Sequence, residues 1–241
     1  MEKLIVVTGA TRGLGISIAT CLLNAGYAVI GVSRNLSRDF ETLQKSYPKH
    51  LKFIPFDLSE PENIQGFYKE KLRPLGPIYA LVNNAGWAYD DLCTNANLDK
   101  LHWMFNINVF SAIMLSKFVI RDFLLNNVRG SLVHISSVST KNGFKGLSMY
   151  AATKGALEVF SMGVAREWGS IGVRSNCIAP GFMETEMSQS LDDEQRLKIY
   201  RRTALGRAVD LSSVAEMTLF LVDEEKSNSI TGSVFYIDGG N

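Results

Sequence analysis

The strongest constraint on this chain is an alternation of two patterns. Short runs rich in β-branched and apolar residues recur at Leu4–Thr8, Ala28–Ser33, Leu51–Pro55, Ile78–Val82, Ser131–Ile135, Val173–Ile178 and Val234–Ile237. Between them lie longer stretches with helical periodicity: Gly13–Asn24, Leu36–Ser46, Pro61–Lys71, Leu98–Asn126, Met149–Ser170, Asp192–Arg202 and Leu211–Asp223. Strands separated by crossover helices re-enter the sheet from the same end, so they pair in parallel. Their unbroken apolar character fits a sheet covered on both faces. The expectation is an α/β fold: a single-domain, doubly wound parallel sheet of about seven strands with helices on both faces.

No internal repeat, low-complexity tract or Pro/Gly/Ser linker divides the 241 residues, so one domain spans 1–241. A chain of this length can bury a full core without staples. The formal net charge is +1 with no basic block, which argues against a nucleic-acid partner or an anionic membrane surface. No run approaches the length of apolar residues that a membrane span needs. The N-terminus leads straight into a strand, without an h-region or cleavage site. Cys21, Cys93 and Cys177 lie far apart with no metal-like spacing. They read as buried thiols of a cytoplasmic protein, with no metal site.

Two helical stretches, Leu98–Asn126 and Met149–Ser170, carry apolar residues around much of their circumference. A monomer core does not easily cover such surfaces, so they are candidate subunit interfaces.

Chemistry enters at the first strand-to-helix junction, T-G-A-T-R-G-L-G over Thr8–Gly15. Gly9, Gly13 and Gly15 permit a tight turn, and backbone N–H groups from Thr11 to Leu14 can approach a pyrophosphate at a helix N-terminus. This makes the sheet a Rossmann-type dinucleotide site. Its spacing is G-x-x-x-G-x-G rather than G-x-G-x-x-G. The second strand ends in Ser33 and Arg34, where an NAD site commonly has an acid for the ribose hydroxyls. Arg34 and Arg12 can pair a 2′-phosphate, so the cofactor expected is NADP(H). Asp57, followed by Leu58 after the third strand, can accept from an adenine amino group or simply begin the next turn. Asn84, Ala85 and Gly86 follow the fourth strand at the ligand-binding end of such sheets.

Tyr150 and Lys154 stand four residues apart in S-M-Y-A-A-T-K, so a helix places both on one face. A phenol has a reference pKa near ~10. A cation about 4 Å away, at an effective dielectric of ~20, favours the phenolate by up to ~4 kcal/mol, or roughly three pKa units. That shift suits general acid–base catalysis.

With these residues assembled, the chain resembles the short-chain dehydrogenase/reductases along essentially its whole length. Thr8–Gly15, the N-N-A-G at Asn83–Gly86, the Asn of F-N-I-N-V, the Ser136–Ser137 pair, Y-x-x-x-K and the Pro180–Gly181 turn all occur in family order. The resemblance implies a catalytic set of Asn108, Ser137, Tyr150 and Lys154. Tyr150 would exchange a proton with the carbonyl oxygen and Ser137 would hold that oxygen. Lys154 would assist the tyrosine and contact the nicotinamide ribose, and Asn108 would hold a water of the proton relay. Ser136 would be structural. Thr185, after Pro180 and Gly181, would meet the nicotinamide carboxamide, with a substrate lid over about 182–202. The pattern is most similar to the bacterial 3-oxoacyl-acyl-carrier-protein reductases. It departs from them where carrier-docking cations are usual, at Val128 and Ile171, with Arg129 next door.

The resemblance therefore implies NADPH-dependent reduction of a β-ketoacyl thioester, in fatty-acid or polyketide-type synthesis, with acyl-carrier protein as the candidate carrier and a homotetramer (or dimer) as the assembly. The alternatives are a reductase of free ketones, sugars or secondary alcohols, and an NADP-sensing protein without catalysis. Trp87, Phe144, Met149, Phe182, Met183 and Met187 suit an acyl or aromatic substituent.

Overall fold

A computed structural model describes residues 3–185 and 192–241. Seven strands form one sheet: β1 Leu4–Thr8, β2 Ala28–Ser33, β3 Leu51–Pro55, β4 Ile78–Asn83, β5 Ser131–Ile135, β6 Arg174–Pro180 and β7 Val234–Ile237. Their order is β3-β2-β1-β4-β5-β6-β7. Every pairing is parallel. The winding reverses between β1 and β4, so a crevice opens beyond their carboxyl ends, where folds of this kind bind ligands.

Period-two alternation in β1 shows why the strands read as unbroken apolar runs. Ile5 and Val7 enter one core with Ile18 and Leu22 of helix α1 (Gly13–Asn24) and Val214 and Leu221 further along the chain. Val6, between them, enters the opposite core with Leu115, Val119 and Phe123. Ile5, Val6 and Val7 are wholly buried, and each such side chain contributes about 1.5–3 kcal/mol relative to exposure.

Side-chain caps set the start of several helices. α2 covers Arg38–Ser46, not Leu36 onward, because the Ser37 side chain caps the Phe40 N–H. The segment read as one helix from Pro61 is broken. Only Ile64–Phe67 (α3) is α-helical, with 3₁₀ turns at Pro61–Asn63 and Arg73–Leu75 and a π turn at Tyr68–Leu72. Gly66 weakens its centre and Pro74 removes a donor at its end. The run Leu98–Asn126 is also composite: α4 Leu98–Phe105, a π turn at Asn106–Phe110, then α5 Ser111–Asn126. Asn127, at φ 53°, closes α5 in the left-handed conformation, and the Val128 N–H returns to the Phe123 carbonyl. By length and composition this run could cross a membrane, but 56% of its most apolar window is buried inside the fold, so it is a core helix. The remaining helices are α6 Ser139–Asn142, α7 Ser148–Trp168, α8 Asp193–Tyr200, α9 Leu211–Val222 and α10 Glu224–Ser227. Asp192 and Gln195 form a capping box on α8. Of the three thiols read as buried, only Cys177 is; Cys21 is half-buried and Cys93 is exposed.

One polar network crosses the core beneath the crevice. His134 of β5 is fully buried, with Nδ1 3.1 Å from Asn83 Nδ2 and Nε2 3.3 Å from Ser175 Oγ. Ser175 in turn meets Ser161 of α7 at 2.8 Å. Burial first, and the Lys154 charge second, push the imidazole down to about 4. An unfolded histidine titrates near 6.5, so between these values the unfolded chain binds the extra proton. Stability is thus complete above about pH 6.5 and falls as pH drops toward 4. We expect a loss of roughly 2 kcal/mol between pH 7 and 5 from this residue. Urea unfolding at both pH values should show it, and His134→Asn should flatten the slope.

Candidate active site

The crevice is stitched together at the ends of β1 and β4. Thr8 Oγ1 accepts the backbone N–H groups of Asn84 and Ala85, each at 3.0 Å, and donates to the Val82 carbonyl at 3.3 Å. The Asn84 amide donates back to the Thr8 carbonyl at 2.9 Å and the Gly9 carbonyl at 3.2 Å. The glycine turn is equally close-set. A Cβ on Gly15 would lie 1.9 Å from the Gly9 carbonyl oxygen, and one on Gly9 would lie 2.9 Å from the Ala85 Cα. Gly13 has φ +52° and faces the Thr185 side chain. Leu14 is buried, so it offers the site its backbone. No side chain caps the N-terminus of α1, where Arg12 stands.

Ser33, at the end of β2, has a buried hydroxyl with no hydrogen-bond partner among the described residues, beside exposed Arg34. A buried unpaired polar atom costs about 1–3 kcal/mol, so a ligand atom is wanted there. Asp57 takes the turn-starting role: its Oδ1 accepts from the Ser59 N–H at 2.9 Å and the Ser59 hydroxyl at 2.8 Å, while Leu58 is in the core. A backbone-lined cradle closed to any Cβ, an uncapped helix N-terminus and an orphaned hydroxyl near an arginine together fit a phosphorylated dinucleotide.

Beyond the cradle, all four predicted catalytic residues converge. The π turn carries Asn108 inward, 1% exposed. Its Oδ1 accepts the Trp87 N–H at 2.8 Å, and its Nδ2 donates to the Trp87 carbonyl and to Thr153 Oγ1, both at 2.9 Å. Both amide donors are thus committed within the protein. Lys154, 2% exposed, donates from Nζ to the Ile135 carbonyl at 2.8 Å and lies 5.7 Å from the centre of the Tyr150 ring. Gly86 leaves room beside it: a Cβ there would be 3.3 Å from Nζ. Ser137 places its hydroxyl beside Tyr150 and favours the ionised phenol. Its Oγ accepts from the Ser139 N–H at 3.2 Å and from the Ser139 hydroxyl at 3.0 Å. Ser136 is structural, donating to Glu158 of α7 at 2.5 Å.

Electrostatics in the site differ from the sequence expectation. Burial pushes Tyr150 up to about 12; the Asp90 charge adds to this and the Ser137 hydroxyl opposes it. Burial pulls Lys154 down to about 8. The Lys154 ammonium donates to the Ile135 carbonyl, and burial rather than that charge dominates the phenol. Burial therefore favours the protonated phenol at neutral pH.

The far wall is the β6 end. The Gly181 N–H bonds the Ile237 carbonyl at 2.9 Å, and a Cβ on Gly181 would lie 2.8 Å from the Asp238 Cα. Of the predicted lid, Phe182–Thr185 and 192–202 are described; Met187 lies outside the described residues. Glu184 links the two arms, accepting from the Tyr200 hydroxyl and pairing with Arg196 at 3.4 Å. Trp87 stacks on Tyr89 and joins a small apolar cluster with Met104, Met149 and Tyr150. Sequence reasoning missed Asp90, Thr153, Ser139 and Glu158. Only Thr153 carried a signal, from its place inside Y-x-x-x-K.

A glycine cradle at a sheet's switch point, beside a phenol, a hydroxyl and a buried amine, is the layout of a dinucleotide-dependent oxidoreductase. The chain belongs to the short-chain dehydrogenase/reductase family. The family model described as enoyl-(acyl carrier protein) reductase matches residues 9–241. The 3-oxoacyl-[acyl-carrier-protein] reductase FabG of Salmonella typhimurium is 34% identical over 242 residues, covering 99% of this chain and 96% of that relative. The mouse 3-oxoacyl-[acyl-carrier-protein] reductase is 32% identical over 240 residues, covering 100% and 98%. Among solved structures, ElxO with NADP bound superposes with a TM-score of 0.89 at 26% identity, covering 99% of this chain and 98% of that one. An ElxO tyrosine-to-phenylalanine variant with NADPH bound gives 0.91 at 27%, with the same coverage.

Asp90 is a direct handle on the phenol. Asp90→Asn removes a charge that raises the Tyr150 pKa, so the alkaline fall in activity should move to lower pH. A pH–rate profile of the variant beside the unaltered enzyme measures the shift.

Proposed function

We propose that the protein is an NADPH-dependent reductase of 3-oxoacyl thioesters, forming the 3-hydroxyacyl product. The observation that carries this reading is the Ser137–Tyr150 pair beside buried Lys154, in a chain about one-third identical over its full length to 3-oxoacyl-acyl-carrier-protein reductases. NADPH supplies the hydride to the carbonyl carbon when bound. Ser137 hydrogen-bonds the carbonyl oxygen and fixes its position. Tyr150 transfers its proton to that oxygen as negative charge builds there. Lys154, with its pKa near 8, is mostly charged at neutral pH and attracts the phenolate left behind. For a pair of opposite charges about 4–6 Å apart at an effective dielectric of ~20, such attraction is about 3–4 kcal/mol. The Asn108 amide holds the Trp87 loop against α7. Gly9 and Thr11–Gly15 hold the pyrophosphate; Ser33, Arg34 and Arg12 favour a 2′-phosphate; Asn84–Gly86 and Pro180–Thr185 line the nicotinamide end.

The carrier is acyl-carrier protein, as in the relatives. One observation favours a second reading, reduction of carrier-free ketones. Arg129, the cation nearest the missing docking charges, pairs with Glu224 at 3.2 Å, and neighbouring Ile171 is apolar and 46% exposed. Steering of an acidic carrier is therefore weaker here. Trp103, Phe110, Val159 and Met162 are large, apolar and exposed on α4, the π turn and α7. They support a homotetramer or dimer of a soluble cytoplasmic enzyme.

NADPH oxidation should be followed with an acetoacetyl group on acyl-carrier protein and on a pantetheine mimic. Turnover of the carrier form well above the mimic supports the carrier reading. Turnover of neither, with activity on free ketones, overturns it. Tyr150→Phe should cost on the order of 10²–10⁴ in rate, and a variant that keeps full activity would sink the mechanism.

Ser33 offers an independent test of cofactor choice. In Ser33→Ala the NADPH Kd should rise about fivefold while stability without ligand is unchanged or higher, since the hydroxyl has no partner to lose. Fluorescence titration and urea unfolding read the two quantities.

A further inference from the structure

Thr153 lies between the catalytic tyrosine and lysine in sequence, yet its side chain faces neither the cofactor cradle nor solvent. It is 0% exposed in the interior of α7. A β-branched residue is an indifferent helix former, so alanine or a straight chain would serve the helix better. The hydroxyl has found two partners. It donates to the Tyr150 carbonyl at 2.7 Å, one turn back, and accepts the Asn108 amide at 2.9 Å. A hydroxyl has one proton and two lone pairs, so these two bonds are compatible and their direction is set. The Asn108 amide orientation is set as well: its oxygen must face the Trp87 N–H and its nitrogen the Trp87 carbonyl.

We propose that Thr153 is a positioning residue for the hydride-transfer step. Its hydroxyl locks the start of α7, which carries Tyr150 and Lys154, to the π turn and, through Asn108, to the Gly86–Trp87 loop. The same loop leaves the narrow space beside Lys154 Nζ: a Cβ on Gly86 would lie 3.3 Å from Nζ and 3.6 Å from Asn108 Oδ1. Loss of the hydroxyl removes the bonds that tie Asn108 and the Tyr150 carbonyl together, so the π turn and the Gly86–Trp87 loop held by Asn108 can shift against α7, and with them the wall beside the ammonium. Displacements of about 1 Å at such a wall cost up to ~10²-fold in rate. Ground-state contacts with the cofactor's adenosine end, held by Gly9–Gly15 and Ser33, are remote from this bridge and remain.

This inference rests on Tyr150 and Lys154 being the catalytic pair, and its test separates the two. Thr153→Val keeps the shape and removes the hydroxyl; Thr153→Ser keeps the hydroxyl and removes a methyl. With any carbonyl compound that the unaltered enzyme reduces, T153V should lower kcat by about tenfold to a hundredfold, with NADPH Kd unchanged and little change in KM. T153S should restore kcat to within about twofold. A purely structural threonine gives the opposite pattern: T153V with a lower unfolding midpoint but normal kcat, or T153S as impaired as T153V. Either result overturns the proposal. If T153V does not fold, T153A removes the same hydroxyl in a smaller side chain and is judged by the same split. A Tyr150→Phe variant that keeps full activity refutes the catalytic pair itself, whatever Thr153 does.

Discussion

The hydrogen bonds around Thr8 hold the two halves of this molecule in register. One side chain at the end of β1 accepts two backbone N–H groups from the loop after β4, and the Asn84 amide returns two bonds to the glycine turn. Strand pairing alone would leave the ends of β1 and β4 free to splay, because parallel ladders do not extend into the loops. With the seam in place, Gly9, Gly15 and Ala85 meet at distances no Cβ would survive. That closeness turns a connecting loop into the wall of a binding site. The Asn84 amide is thereby committed to the backbone of the glycine turn.

α7 is the second organiser. Over about two turns it presents Tyr150, Thr153, Lys154 and Glu158. These reach the phenol site, the π turn, the β5 carbonyl at Ile135 and the hydroxyl of Ser136. Burial acts oppositely on its two titratable members at the site, raising the acid and lowering the base. Both shifts favour the neutral form. The phenol is held well above neutrality, while the amine, near 8, still carries its charge at neutral pH.

The sheet was legible because its signals are local. Apolar strand runs, glycine punctuation and helix periodicity located all seven strands to within two residues at either end. Asn108, Ser137, Tyr150 and Lys154, which the structure brings together, were legible through their order along the chain. The misses are those that local pattern does not encode. A π turn keeps the same apolar sequence as the helix around it, so Asn106–Phe110 left no trace in the periodicity of Leu98–Asn126. The Pro61–Lys71 stretch has helical periodicity, but with Gly66 at its centre and Pro74 beyond it, the α-helix holds for a single turn. Tyr150 and Lys154 do share a face, but where the ammonium points depends on a carbonyl of another strand. Asp57 could serve a ligand or its own turn, and the turn contact, Oδ1 to Ser59, depends on a neighbour two residues on rather than on local pattern.

The strand order also has a consequence for synthesis on the ribosome. β1 sits at the centre of the sheet and is flanked by β2 and β4, so the seam between Thr8 and Asn84 needs nothing beyond the loop after β4. The nucleotide cradle can therefore be assembled from the leading part of the chain while the rest is still emerging. The wall at Gly181 leans on Ile237 of the last strand, so it closes only when translation is nearly complete. Folding from the N-terminus outward is the usual course for emerging chains. Here it means that the pieces able to grip a cofactor precede the pieces able to use it.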